Sequence, residues 1–436
     1  VSDRRLRWTL ALLAGAGTGL LYAEGVLISG WIEVVLGIPI VLTLFPIPTG
    51  SNAVDRILQN CLLSIIAISF SVVALDLVFR PFGYTLHYSP FNMTSHKLPE
   101  LPIVGRWDRN LSLETESYGD LAAMAGDPAF REPRHIVFRT DEYGFRNIPG
   151  AHETNLLVLG DSFPAGGGTT DEDVFARLLE THYGFRTYNL SFPGGPYEQF
   201  INFAIEWRRL NLAPHTRMIW TWYTGNDMND EGGEVWDLAR LPWTDGISAW
   251  RVKFKTYRNR SPLRQWIEAI RLKVAGKPAD VITRVLPDGR PVLFMEGQEQ
   301  WGKASRAAVE QHPNYPKMLK TMDAMQTLTT ERHIDLTILI LPTKGEVYRS
   351  LFEARQPEAD DSRPSGFAEA FLETCRSKGL ACQDLKPYLM REAKRLYETE
   401  GKLLWWRDDT HPGKEGHAAI ASYIARCMPA PAASCG

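Results

Sequence analysis

In RDDTHPGKEGH (Arg407 to His417) a carboxylate and an imidazole stand three residues apart, at Asp408 and His411, just before a run with helical spacing. A histidine that takes a proton from a hydroxyl needs an acceptor on its other ring nitrogen, which fixes the tautomer and stabilises the imidazolium as it forms. DxxH on a turn can satisfy this locally through Asp408, and DxH through Asp409 is the neighbouring alternative. Asp408 is preferred, and His417 is assigned to the following helix. The matching hydroxyl is Ser162 in GDSF (Gly160 to Phe163). Gly-Asp-Ser is also a good turn and cap sequence, so the triplet alone carries little. Two further segments add to it. NLSFPGG (Asn189 to Gly195) holds Gly194, where a glycine lets a backbone N–H come close to a ligand. TGND (Thr224 to Asp227) holds Asn226, whose amide at a strand end can point at a developing oxyanion.

Each segment follows or precedes an element that can position it. Asn155 to Leu159, NLLVL, is a short apolar run closed by Gly160, as expected of a fully buried parallel strand. Thr187–Leu190, Met218–Tyr223 and Leu336–Leu341 read as further strands. Asp173–Thr181, Tyr197–Leu210, Met318–Glu331, Gly366–Lys378 and Gly416–Arg426 have helical spacing. Strands alternating with helices predict a parallel sheet covered on both faces, an α/β sandwich, and ligands of such sheets bind at the C-terminal edge. Residues 151–436 form this expected domain. An insertion at about 232–316, too long for a bare loop, carries Trp236, Trp243, Trp250, Trp266 and Trp301. These tryptophans suit either a small core of the insertion or stacking on sugar rings. Residues 84–150, without a long apolar period, read as a stalk that merges into the domain, with TDEYGFRN (Thr140 to Asn147) as a turn.

The four segments, in this order and at these ends of elements, resemble the SGNH (GDSL-type) hydrolase superfamily, with GDSF at Ser162, NLSFPGG at Gly194, TGND at Asn226 and DDTH at Asp408 and His411. The resemblance covers about residue 135 to the C-terminus. TDEYGFRN and LPTKGEVY are similar to segments of membrane-bound members and of alginate O-acetylation proteins. It implies a three-layer flavodoxin-like sandwich with His411 as base for Ser162. An acyl-enzyme would form, with the Ser162 and Gly194 N–H groups and the Asn226 side chain as oxyanion donors. It calls for no metal and no other cofactor. There is no GxSxG elbow, which argues against the α/β-hydrolase fold. Pro164 followed by AGGG departs from members that carry a polar residue soon after the serine.

The 436 residues carry a net charge of -3, which offers no electrostatic reason to expect nucleic acid. The N-terminus reads as a membrane anchor over residues 1–83, with spans Leu6–Ile28, Trp31–Pro48 and Ile57–Phe79. A cleaved signal peptide is the rival reading of the first. Glu24 and Glu33 are placed at the interface. Arg4, Arg5, Arg7 and Arg56 predict an inside N-terminus and, after three crossings, an extracytoplasmic (periplasmic) domain on the cytoplasmic membrane. Four cysteines follow in that compartment, and Cys375–Cys382 and Cys427–Cys435 are the expected pairs. Three readings of function follow. The first is an esterase acting on acyl, for instance acetyl, esters of a cell-envelope glycan. The second is an O-acyltransferase using the same residues on a polysaccharide hydroxyl. The third is an accessory subunit of a membrane complex with an idle triad, since three spans exceed simple tethering. The expected partners are the ester or glycan, the lipid bilayer and other membrane proteins.

Overall fold

Short apolar runs spaced by helices build a five-stranded, all-parallel sheet in the computed structural model, which describes residues 9, 11–16, 18, 52–80, 94–148, 150, 153–275, 280–352 and 363–427. Its strands are β1 (Thr154–Leu159), β2 (Thr187–Asn189), β3 (Leu212–Tyr223), β4 (Asp335–Leu341) and β5 (Ala381–Asp384). The spatial order is β2-β1-β3-β4-β5, consistent with a flavodoxin-like sandwich. Period-two alternation sends Leu156, Val158, Ile219, Leu339 and Leu341 to one face and Leu157, Leu159, Met218, Trp220, Ile338 and Ile340 to the other. The first face is covered by α1 (Phe175–Tyr183), α5 (Lys386–Glu400) and α6 (Lys414–Cys427). The second is covered by α2 (Pro196–Glu206), α3 (Tyr315–Glu331) and α4 (Gly366–Lys378). Both faces are therefore dry, as a parallel sheet requires.

β5 and α5 were not anticipated from the sequence. β5, ACQD, has no apolar run, being a half-buried edge strand held by parallel pairing to β4. α5 does carry a helical signal, with Leu389, Ala393 and Leu396 on one buried stripe, a proline in its first turn and Gly401 at its C-cap.

The described chain divides into two compact units, Val1–His87 with Asp245–Lys277, and Tyr88–Thr244 with Pro278–Gly436. In the second unit, residues 94–148 are a structured part of the sheet domain and not a stalk. They form two antiparallel hairpins, Ser95–Leu98 with Leu101–Trp107 and Ser112–Ser117 with Arg134–Arg139. Leu101, Val104 and Phe145 join the core. The 232–316 insertion also does not form one lid. Trp236 packs against the sheet core and donates to Thr321 Oγ1, and Trp301 is half-buried there too. Residues 245–277 belong to the other unit, and Val281–Val285 with Pro291–Met295 return as a hairpin whose Leu293 N–H donates to the Arg407 carbonyl.

The first unit contains the helix Asn52–Phe79, with a stretch Asn60–Phe79 long and apolar enough to cross a membrane. Ala14, in the predicted first span, packs against Leu62 and Ile65 of that helix. The rest of Leu6–Ile28 is only partly described, and Trp31–Pro48 lies outside the described residues, as do Glu24 and Glu33.

A disulfide joins Cys375 at the end of α4 to Cys382 in β5. Cys427 is disulfide-bonded as well, while its predicted mate Cys435 lies outside the described residues. Closing so short a loop in the unfolded chain is worth about 2–3 kcal/mol. The double substitution Cys375→Ser with Cys382→Ser is expected to lower stability by that amount, measured from the urea midpoint of the full chain in detergent. An unchanged midpoint would mean that β5 is held by pairing to β4 alone.

Candidate active site

The loops after β1, β2, β3 and β4 meet at the C-terminal edge of the sheet. After β1, the Asp161 carboxylate accepts the Phe163 N–H at 2.9 Å, and the Ser162 carbonyl accepts the Gly167 N–H at 2.9 Å. This tight turn leaves Ser162 half-buried while its neighbours are covered. Ser162 Oγ lies 2.8 Å from His411 Nε2, and His411 Nδ1 lies 2.7 Å from Asp409 Oδ1. The structure thus brings together Ser162, His411 and Asp409.

Asp408, the residue preferred from sequence, does not contact His411, and this corrects that choice. Its carboxylate is taken up elsewhere. Oδ2 accepts the N–H groups of Gly119 and Glu132, both at 2.8 Å, and Oδ1 pairs with Arg134 at 2.8 Å. Its carbonyl accepts the Ala122 N–H, so Asp408 holds the start of the short helix Asp120–Ala125. Neighbouring side chains in this extended turn face opposite ways, and a DxH spacing is the one that reaches the imidazole.

Four participants come from the stretch expected to be a stalk or turn. Arg134 binds the carboxylates of both Asp408 and Asp409. Asp120 accepts from the N–H and hydroxyl of Thr410 and lies 4.0 Å from His411 Nδ1. Arg146, in TDEYGFRN, donates to the carbonyls of Ala165, Gly166 and Thr169 and so holds the loop that follows Ser162. Asn147 of the same segment exchanges two hydrogen bonds with the Asn189 backbone, and Asn189 donates to the Pro164 carbonyl. Arg134 and Asp120 find their partners some 270 to 290 residues later in the chain and so have no local signature, whereas TDEYGFRN could have flagged Arg146 and Asn147.

Lys344, in LPTKGEVY, is buried and donates to the carbonyls of Leu293, Trp406, Arg407 and Asp409 at 2.7 to 3.2 Å. Burial lowers its pKa to about 8 against the pull of nearby carboxylates. It fixes the loop that delivers Asp409 and His411. The AGGG departure also has a steric account. A Cβ at Gly167 would meet the His411 ring at 2.6 to 2.8 Å, and one at Gly168, whose φ is +68°, would meet Asp409 and Arg134 at 2.8 to 2.9 Å.

The predicted oxyanion donors lie on neighbouring loops. The Gly194 carbonyl accepts from Gln199 Nε2 at 2.8 Å, and Gln199 Oε1 accepts from buried Trp220 Nε1, so the loop carrying Gly194 is tied to β3. Asn226 donates one amide hydrogen to Asp230 Oδ2 at 2.6 Å, leaving its second amide hydrogen for another acceptor. His417 lies in α6 as expected; it is buried and accepts the Phe175 N–H, and burial lowers its pKa to about 3, which keeps it neutral.

Burial by itself would lower the His411 pKa. The charge and hydrogen bond of Asp409, with the charges of Asp120 and Asp161, overcome it and raise the value to about 9. Burial would raise Asp409, but His411 and Arg134 hold it well below the usual carboxylate range. Asp120 goes the other way, lifted to about 7 by burial and by the Asp409 charge. Asp120, Asp409 and His411 are the one group of metal-ligand spacing among the described residues, and the guanidinium of Arg134 already supplies positive charge to Asp409 there.

Two outcomes follow. His411 binds its proton more tightly folded than unfolded, so its charged form stabilises the fold fully below about pH 6.5. That contribution is lost as pH rises through about 9. Labelling of Ser162 by a fluorophosphonate should speed up over the same range as neutral imidazole appears, and Asp409→Asn should shift the rise to lower pH. A flat rate from pH 6 to 9 would show that His411 does not activate Ser162. Separately, Gly167→Ala should slow labelling at least tenfold, with far-UV circular dichroism unchanged, because the added methyl displaces the imidazole.

No protein-family model matches the chain, and no curated protein matches it.

Proposed function

We propose that the chain is a membrane-anchored serine hydrolase of the SGNH type that cleaves acyl esters of a cell-envelope glycan on the outer side of the membrane. The observation that carries the reading is the unbroken line Ser162 Oγ to His411 Nε2 at 2.8 Å and His411 Nδ1 to Asp409 Oδ1 at 2.7 Å, at the C-terminal edge of a parallel sheet. Deprotonated His411 takes the Ser162 proton as Oγ attacks the ester carbonyl. The tetrahedral oxyanion is held by the N–H groups of Ser162 and Gly194 and by the second amide hydrogen of Asn226. Collapse expels the alcohol, which takes the proton back from His411, and leaves an acyl-Ser162 that water then hydrolyses through the same base. Asp409 keeps the imidazole in the required tautomer, and Arg134 keeps Asp409 ionised. The apolar helix Asn60–Phe79 supports the anchor, and the Cys375–Cys382 disulfide supports an oxidising compartment.

With a small activated acetyl ester as substrate, Ser162→Ala should abolish turnover and fluorophosphonate labelling together. His411→Ala should remove nearly all turnover, and Asp409→Asn should be far more damaging than Asp408→Asn in the same fully folded preparation. Asn226→Ala should lower kcat by about 10²–10³ through loss of one oxyanion donor. Ester consumption that requires an added glycan acceptor would assign transfer in place of hydrolysis. Wild-type protein that is folded yet takes up no probe and consumes no ester would leave the accessory-subunit reading.

A further inference from the structure

Three tryptophans of the insertion, Trp243, Trp250 and Trp266, are exposed and build no core. Two of them, Trp250 and Trp266, lie on a helical hairpin, Gly246–Asn259 and Pro262–Ala275, that belongs to the unit of the apolar helix. The hairpin is fastened to the end of that helix. Asp76 Oδ1 accepts from Ser261 Oγ at 2.7 Å and from the Leu263 N–H at 3.3 Å, while Asp76 Oδ2 pairs with Arg80 at 3.0 Å. Arg80 in turn donates to the Tyr257 carbonyl and lies over the Tyr257 ring.

The first helix of the hairpin is amphipathic, with its apolar side outward. Ile247, Trp250, Phe254 and Tyr257 recur at i, i+3, i+7 and i+10, and at about 100° per residue they fall within an arc of about 80°. Ile247 is 68% exposed and Trp250 62%, and Trp250 stacks on Phe254. By the same rotation Lys253 borders the stripe on one side, and Arg251 and Lys255 border it on the other, all three exposed. This helix contains no carboxylate. On the second helix, Trp266 at 65% and Ile270 at 44% repeat the exposed apolar spacing at i and i+4.

An apolar stripe with indole rings, bordered by long cationic side chains, is the composition that lies in the plane of a bilayer interface. The rings sit at headgroup depth while ammonium and guanidinium groups reach up to phosphate. Its attachment is at the end of the only described helix able to cross a bilayer, where a headgroup layer would begin. We infer that this hairpin is an interfacial anchor seated in the headgroup layer of a bilayer that contains anionic lipid. The inference rests on the membrane-anchor reading of Asn60–Phe79.

The test uses the full chain, one copy per nanodisc of phosphatidylcholine with phosphatidylglycerol, and single-site fluorophores. Native Cys61, a free and exposed cysteine on the apolar helix, reports on the anchor itself. Trp250→Cys and Trp266→Cys, each with Cys61→Ser, report on the hairpin, and Glu398→Cys with Cys61→Ser reports on the water-facing surface. Labels at 250 and 266 should be quenched at least threefold more by a nitroxide lipid labelled near the headgroup than by an aqueous nickel chelate, and the label at 398 should do the reverse. Labels at 250 and 266 that behave like 398, while Cys61 is reached by a deep nitroxide lipid, overturn the inference and leave the anchor standing. Labels reached by neither quencher also overturn it, since protein would then cover the face. A Cys61 label that no lipid quencher reaches removes the anchor reading, and the inference with it. The charge part is tested by Lys253→Glu with Lys255→Glu, which should halve lipid quenching at 250 in discs with phosphatidylglycerol and leave it unchanged in phosphatidylcholine alone. Equal effects in both discs overturn the preference for anionic lipid.

Discussion

Adjacent carboxylates, Asp408 and Asp409, are buried under the site and share a single guanidinium. Two like charges at about 4 Å repel by roughly 4 kcal/mol at an effective dielectric constant near 20. Arg134 offsets that repulsion, and together with the His411 charge it holds Asp409 ionised beside the imidazole. The remaining construction follows from keeping that charge pair in place. Asp408 is fixed by two backbone N–H groups, and the peptide groups around Asp409 are gathered by the Lys344 ammonium. A cation from the second hairpin and another from the loop after β4 thus converge on one turn. His411 is left facing Ser162, with its proton held until the pH approaches about 9.

The sheet was legible because its strands are apolar on both faces, and a run such as NLLVL or LTILIL needs no context to be read as buried. Ser162 and the loops with Gly194 and Asn226 were legible because they follow strands, and His411 because it stands just before a helix. The choice between Asp408 and Asp409 was not, because it turns on which carboxylate finds other donors. Those donors are the N–H groups of Gly119 and Glu132, almost three hundred residues earlier in the chain. Arg134 and Asp120 were missed for the same reason. In SLETES and RHIVFR the alternation of the hairpin strands is diluted by charged residues, so the segment looked like a stalk.

Glycines after the serine and the TDEYGFRN turn form one device. Arg146 can reach three carbonyls of the loop only because residues 165–169 turn tightly, with Gly166 and Gly168 at φ of +80° and +68°. The same tight path brings the backbone at Gly167 against the imidazole. What looked in the sequence like a missing polar residue is space reserved for the His411 ring.

The chain passes between its two units three times, near residues 87, 244 and 277. A protein tethered by one linker can be shed by one proteolytic cut and can sweep a volume set by linker length. Here a single nick before residue 88 leaves the sheet unit covalently joined through both ends of Asp245–Lys277, and that hairpin stays tied to the apolar helix through Asp76. Release therefore needs at least three cuts, or one once the Asp76 contacts yield.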